Sequence, residues 1–134
     1  MKNSLINNLN NIKDPNVPIW LMRQAGRYMH EYHVVKKKFD SFIQMCKNEE
    51  ALTEITLQPI NKFDFDAAII FSDILIVLEC LNIKVNFIKG KGPVVLNTDM
   101  YNIFKNRTNN IDLEKLNPVY DSIKNVKKEL NLLS

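Results

Sequence analysis

The chain has 134 residues, of which 46% are hydrophobic and 25% charged, so its composition suits a soluble globular protein with one domain at most. The formal net charge of +3 is too small an excess to indicate a nucleic-acid-binding protein. No apolar signal segment opens the chain, and the longest apolar stretch, residues 67–81, is interrupted by Asp73 and Glu79 and is shorter than the roughly 20 residues of a membrane span. We therefore expect a cytoplasmic protein with neither a membrane nor a nucleic acid as its partner.

The beginning of the chain is polar and rich in asparagine. We expect residues 1–14 to be a poorly ordered segment and residues 15–134 to form the folded domain. Pro15 and Pro18 then favour an extended approach to the apolar residues 19–22, because a residue that precedes proline avoids the helical region.

Three stretches predict helices. Residues 31–46 place apolar side chains at roughly helical intervals, and residues 49–62 do so again, although Pro59 is expected to kink or end the second helix. Near the carboxyl end, Asn117 is expected to cap a third helix and Pro118 to occupy its first position. The expected buried residues are Leu52, Ile55 and Ile60 in the second helix and Val119, Ile123, Val126, Leu130 and Leu133 in the third.

The run Ala67-Ala68-Ile69-Ile70-Phe71 differs from the helical stretches because it is short and continuously apolar. This pattern is typical of a strand that is covered on both faces in a parallel sheet. Asp73 follows it, and barrel enzymes place catalytic groups at the carboxyl ends of their strands. Further on, residues 85–88 predict a short strand and residues 90–93 a turn or loop.

Three segments, in this order, resemble uroporphyrinogen decarboxylases. They are residues 19–28 (IWLMRQAGRY), residues 56–75 (TLQP followed by FDFDAAIIFSDIL) and residues 90–93 (GKGP). The RQAGRY motif is the most specific, and the shared order of all three argues against a chance match. The resemblance is strong from Pro15 to Pro93 and weaker beyond.

Members of that family are homodimers of single (β/α)8 barrels that use neither a metal nor an organic cofactor. They remove CO2 from the four acetate side chains of uroporphyrinogen III and give coproporphyrinogen III for haem synthesis. The resemblance implies that this chain is α/β, the amino-terminal part of a TIM barrel. It is too short to complete one, since a barrel needs about 250 residues, so we expect it to be inactive alone. The alternative is a non-catalytic remnant that acts as a binding or interaction protein.

The same resemblance implies the site. Asp73 and Arg23 are expected to be catalytic, and the expected substrate-binding residues are Arg23, Gln24, Ala25, Gly26, Arg27 and Asp73. The residue types suit a tetrapyrrole, because guanidinium groups bind carboxylates through two parallel hydrogen bonds and a carboxylate accepts several pyrrole N–H bonds at once.

Some residues depart from the family pattern. His33 and Lys36 stand where the family usually has arginine, and a neutral His33 supplies less positive charge to an anionic ligand. His30 and His33 have a spacing that occurs in metal sites, but no third ligand accompanies them, so we expect no metal. Cys46 and Cys80 suit a reducing compartment.

Overall fold

Helices predominate in the described residues, and one small sheet accompanies them. The computed structural model describes residues 4–88, 90–95 and 111–132. Its elements are α1 (Ser4–Leu9), α2 (His30–Lys36), α3 (Phe42–Cys46), α4 (Glu49–Phe63), α5 (Ile76–Cys80), β1 (Val85–Ile88), β2 (Gly92–Val95), a 3-10 helix (Leu113–Leu116) and α6 (Asn117–Leu132). None of the helices in these described ranges has the length and apolar character needed to cross a membrane.

Helix α4 confirms the prediction for residues 49–62. Asn48 caps it, since its side chain accepts a hydrogen bond from the amide of Ala51 (2.8 Å). The predicted inner positions Leu52, Ile55 and Ile60 are all buried. The helix continues through Pro59 to Phe63, so the proline does not end it there.

The predicted helix over residues 31–46 is two helices, α2 and α3, separated by residues 37–41. Ser41 has an extended backbone and starts α3, because its side chain accepts a hydrogen bond from the amide of Gln44 (3.1 Å). The local cap therefore divides a stretch whose apolar spacing alone predicted one helix.

Helix α6 confirms the third predicted helix, but its start and part of its buried stripe differ. The 3-10 helix leads directly into Asn117, whose φ of −51° and ψ of −42° are helical, so Asn117 is the first residue of α6 and not its N-cap. Val126 and Leu130 are buried as predicted, whereas Ile123 is 44% exposed. Leu133 lies outside the described residues.

The predicted strand over residues 67–71 is wrong. In the described residues the sheet is the antiparallel hairpin of β1 and β2, with Val85 opposite Val95, and no parallel strand pairs with residues 67–71. The expected coverage on both faces is absent as well, because Ile69 is 37% exposed. The structure is thus a mixture of helix and strand, and the parallel sheet of a barrel does not occur within the described ranges.

Two apolar clusters flank the extended segment that replaces the predicted strand. The first contains Met29, Tyr32, Val35, Met45, Ala51 and Ile55, and Phe71 packs against it. The second joins α4 to α6 through Ile60, Val126 and Leu130, and Phe65, Ala68 and Ile70 pack against it. Residues 65–71 therefore lie between the two clusters, and burial of their apolar side chains holds the segment in place.

Helix α1 occupies part of the segment for which we expected little order. Ser4 is 2% exposed, and its hydroxyl donates to Asp66 Oδ1 (3.0 Å). A contact with a residue 62 positions away thus joins the beginning of the chain to the extended segment. The division into residues 1–14 and 15–134 stays a prediction.

Candidate active site

A cavity of about 720 Å³ lies between the loop that carries RQAGRY and the extended segment that ends at Asp73. Residues 22–28 form one wall and residues 69–74 the other, with Tyr32 and Phe42 contributing aromatic surface. The volume falls in the usual range of small-molecule sites, roughly 300–1,000 Å³.

The RQAGRY loop is held by hydrogen bonds to its own backbone. The Tyr28 hydroxyl donates to the carbonyl of Gln24. The amide of Met29 donates to the carbonyl of Gly26 (3.0 Å). Met29 is also 1% exposed, which anchors the end of the loop in the first apolar cluster. These hydrogen bonds fix the backbone of the loop, and Arg23 and Arg27 extend from this fixed backbone.

His33 contributes a further tie to this loop from α2. Its Nε2 lies 2.7 Å from the carbonyl oxygen of Arg27, and because a carbonyl can only accept, the ring N–H donates this hydrogen bond. The ring also contacts Tyr32 edge-on at 5.6 Å between centroids. His33 is thus placed to hold the backbone that carries Arg27, while Lys36 is exposed at the end of α2.

Arg23 and Arg27 are exposed on the same wall of the cavity. Among the residues that the structure describes, neither guanidinium group forms an ion pair. Two guanidinium groups four residues apart, with no carboxylate partner in the described part of the chain, are available for two parallel hydrogen bonds each to an anionic ligand.

Gln24 joins the two walls. Its side chain is 3% exposed, its Nε2 donates to the carbonyl of Ala67 (2.7 Å), and its Oε1 accepts from the amide of Ile69 (3.0 Å). Both ends of the amide are therefore engaged by the opposite wall rather than directed to the cavity.

Helix α4 also holds the extended segment through hydrogen bonds. The amide of Phe71 donates to Thr56 Oγ1 (2.9 Å), and the same hydroxyl donates to the carbonyl of Leu52 (2.6 Å). Thr56 is completely buried. The backbone two residues before Asp73 is thus fixed to the central helix.

Asp73 ends the extended segment and leads into α5. Its Oδ1 accepts a hydrogen bond from the amide of Leu75 (2.7 Å), and its carbonyl accepts one from the amide of Ile76 (3.1 Å). Within the described ranges no hydrogen bond uses its Oδ2, and the residue is half-buried. The turn fixes the carboxylate while leaving one oxygen for a ligand.

Two groups near this end of the cavity hold their protons tightly: the Tyr32 phenol, which lines the cavity, and the Cys46 thiol, which lies beside Asp73 and does not line it. Burial, with the charge of Asp73 as a smaller cause, raises the pKa of the Cys46 thiol to about 12. Burial likewise raises the pKa of Tyr32, which contacts Phe71 edge-on at 5.7 Å between ring centroids. Both groups therefore stay neutral at pH 7.

The cavity brings together every site residue implied by the resemblance: Arg23, Gln24, Ala25, Gly26, Arg27 and Asp73. Their roles stay predictions, although the two engaged ends of the Gln24 amide favour an indirect role for its side chain. The sequence did not identify Tyr32 and Phe42 as lining residues. Their helical spacing indicated only a core, and it gave no signal that one edge of that core is open.

Comparison with known proteins shows a consistent match. The model of the family described as "Uroporphyrinogen decarboxylase (URO-D)" matches residues 1–133. Proteins named uroporphyrinogen decarboxylase from Brucella ovis, Brucella abortus and Brucella melitensis are each 45% identical over 113 residues, which cover 84% of this chain. The same residues cover 33% of each relative, so the match spans about a third of their length.

Proposed function

Because the chain belongs to the uroporphyrinogen decarboxylase family, we propose that its cavity binds uroporphyrinogen III. In this proposal the chain contributes to removal of CO2 from the four acetate side chains, which gives coproporphyrinogen III in haem biosynthesis. The observation that carries the proposal is that Arg23, Arg27 and Asp73 line one cavity.

The charges of the cavity fit the ligand. Uroporphyrinogen carries carboxylates on its rim and pyrrole N–H groups at its centre. Arg23 and Arg27, which lack ion-pair partners in the described part of the chain, would bind rim carboxylates. The uncommitted Oδ2 of Asp73 would accept the central N–H groups.

The same arrangement supports a decarboxylation step. Protonation of a pyrrole carbon turns the ring into a cationic electron sink, and the electron pair of the breaking carbon–carbon bond then neutralises the ring as CO2 leaves. Protonation of the resulting exocyclic methylene carbon, with loss of the proton first added to the ring, gives the methyl group and restores the pyrrole. The fixed carboxylate of Asp73 would stabilise the cationic ring, an effect of roughly 3 kcal/mol for one well-placed group. Arg23 would hold the reacting carboxylate and assist proton transfer.

The architecture and assembly belong to the same proposal. The described elements would form the amino-terminal part of a (β/α)8 barrel, and the assembled protein would be a cytoplasmic homodimer. Family membership supports both statements, as it does for the substrate.

Trp20 offers a direct test of binding. It is the chain's one tryptophan, it is 48% exposed, and it lies two residues before the cavity-lining Met22. Uroporphyrin, the oxidised macrocycle, absorbs the emission of tryptophan, so binding should quench the fluorescence. Arg27→Gln should weaken binding at least about tenfold, since a charge-assisted hydrogen bond contributes roughly 1.5–3 kcal/mol.

Lys37→Gln is the matched control, because it removes the same charge from an exposed position outside the cavity. Equal affinities of the two variants, or no saturable quenching of the unsubstituted chain, would refute the proposed binding site. Incubation with uroporphyrinogen III and chromatography of the products adds a test of activity. Formation of coproporphyrinogen would refute the non-catalytic binding protein, whereas binding without turnover is the result expected of a chain whose match spans about a third of its relatives' length.

A further inference from the structure

Gln24 makes an unusual pair of hydrogen bonds. Its side-chain amide donates to the carbonyl of Ala67 and accepts from the amide of Ile69, at 2.7 and 3.0 Å. In a parallel β-ladder, the backbone of one residue makes the same two bonds to the residues before and after its partner. The Gln24 side chain thus substitutes for one backbone rung opposite Ala68.

This rung lies between the groups of the candidate site. Gln24 is directly flanked by Arg23 and is three residues before Arg27, while Ile69 is four residues before Asp73. The hydrogen bond from the Phe71 amide to Thr56 fixes the backbone between Ile69 and Asp73. Any lengthening of the Gln24 bridge would therefore change the distance from the guanidinium groups to the carboxylate.

Burial strengthens the bridge. The Gln24 side chain is 3% exposed, so water does not readily replace either of its bonds, and an amide left unpaired there is costly. A buried amide that makes two hydrogen bonds has partners at fixed distances. This arrangement suits a residue that sets a distance better than one that must turn towards a ligand.

We propose that Gln24 is a positioning residue: its amide acts as a single side-chain rung that sets the separation between Arg23 and Arg27 on one wall and Asp73 on the other. The inference rests on the proposed function, because the separation matters only for a ligand that contacts both walls. It assigns Gln24 a role through other residues rather than a direct contact with substrate.

Gln24→Glu tests the rung through pH. The ionised carboxylate still accepts from Ile69 but repels the carbonyl of Ala67, whereas the protonated carboxyl has one donor and one acceptor and restores both bonds. Burial beside a carbonyl raises the pKa of such a carboxyl. Uroporphyrin should therefore bind the variant roughly tenfold more weakly than the unsubstituted chain at about pH 7, and the ratio should approach one towards about pH 5.

Using the ratio to the unsubstituted chain at each pH cancels titration of the ligand. Gln44→Glu is the matched control, because Gln44 is exposed on α3 and does not line the cavity. Its ratio should stay near one throughout. Circular dichroism of the same samples gives the folded fraction, so that each affinity refers to folded protein.

A second measurement needs no variant. Uroporphyrin bound to both walls should resist opening of the rung and slow hydrogen exchange of the Ile69 amide. If the unsubstituted chain binds with dependence on Arg27, yet Gln24→Glu binds equally well at every pH or the Ile69 exchange is unchanged, the positioning role is wrong and the proposed function stands. If the unsubstituted chain does not bind, both fail.

Discussion

Ile19 and Asp66 hold each other through two hydrogen bonds: the amide of Ile19 donates to Asp66 Oδ2 (2.7 Å), and the amide of Asp66 donates to the carbonyl of Ile19 (2.9 Å). Asp66 Oδ1 also accepts from the hydroxyl of Ser4. One buried carboxylate thus joins three separate parts of the chain at the start of both cavity walls.

Asp66→Ala should destabilise the fold markedly. The substitution leaves the part-buried Ile19 amide and the buried Ser4 hydroxyl without their acceptor, and a buried polar group left unsatisfied costs about 1–3 kcal/mol. We expect a loss of about 2 kcal/mol or more in the free energy of unfolding, measured by urea denaturation. Asp121→Ala, which removes an exposed pair with Lys124, should change stability by less than about 1 kcal/mol. Similar losses of stability in both variants would contradict the role of Asp66 in joining the three parts of the chain.

Thr56→Val should distinguish the energetic contribution of the Thr56 hydroxyl from that of side-chain packing in α4. Valine keeps the shape but removes the acceptor of the Phe71 amide, so we expect a loss of about 1–3 kcal/mol and weaker uroporphyrin binding. Thr53→Val is the matched control one turn earlier, where the hydroxyl bonds only within its helix to Glu49. Calorimetric unfolding measures the stability of both variants. A larger loss of stability in Thr53→Val than in Thr56→Val would show that Thr56 does not support the extended segment.

Asp73→Asn should retain the fold, since the amide oxygen can still accept from Leu75. It should lose the preference for the reduced macrocycle, which has four N–H donors where the oxidised one has two. Competition of uroporphyrinogen against bound uroporphyrin, under anaerobic conditions, measures that preference. We expect it to fall about tenfold or more, because hydrogen bonds to a charged group contribute roughly 1.5–3 kcal/mol. An unchanged preference would exclude Asp73 from the centre of the ligand.

Cys46 should be inert in the folded chain. Its pKa of about 12, against 9.0 for the free group, lowers the thiolate fraction at pH 8 on the order of a thousandfold. In a Cys80→Ala background, disulfide-exchange reagents should therefore react far faster in urea than in buffer. Asp73→Asn should reduce this protection, since the Asp73 charge is one of its causes. Equal rates in urea and in buffer would be incompatible with the buried, neutral thiol.

The same shift makes stability depend on alkaline pH. A thiol whose folded pKa is raised binds its proton more tightly in the folded state, so its contribution is fully present below about 9 and is lost as pH rises towards about 12. Unfolding of Cys46→Val should show a smaller decrease across that window than unfolding of the unsubstituted chain.

Helices α4 and α6 were predictable because their signals are local, whereas α1 lies in a segment for which we expected little order. The spacing of Leu52, Ile55 and Ile60 carries the buried face of α4 in the sequence itself. The cap that separates α2 from α3 is also local, at Ser41, but the apolar spacing masked it.

The extended segment was predicted less well because its hydrogen-bond partners are distant in the sequence. Its amides bond to Ile19, Gln24 and Thr56, and a continuous apolar run does not reveal whether a neighbouring strand or a side chain accepts them. The RQAGRY and FSDIL motifs identified the residues of the candidate site, whereas the aromatic lining from Tyr32 and Phe42 follows from tertiary packing alone.

Helix α4 contributes both to the packing of the fold and to the candidate site. It packs on α2, α3 and α6, and its Thr56 supports the backbone that leads to Asp73. Selection for a stable fold and selection for a working site therefore act on the same few side chains. Along its inner face, related sequences should drift least, even at positions that never touch a ligand.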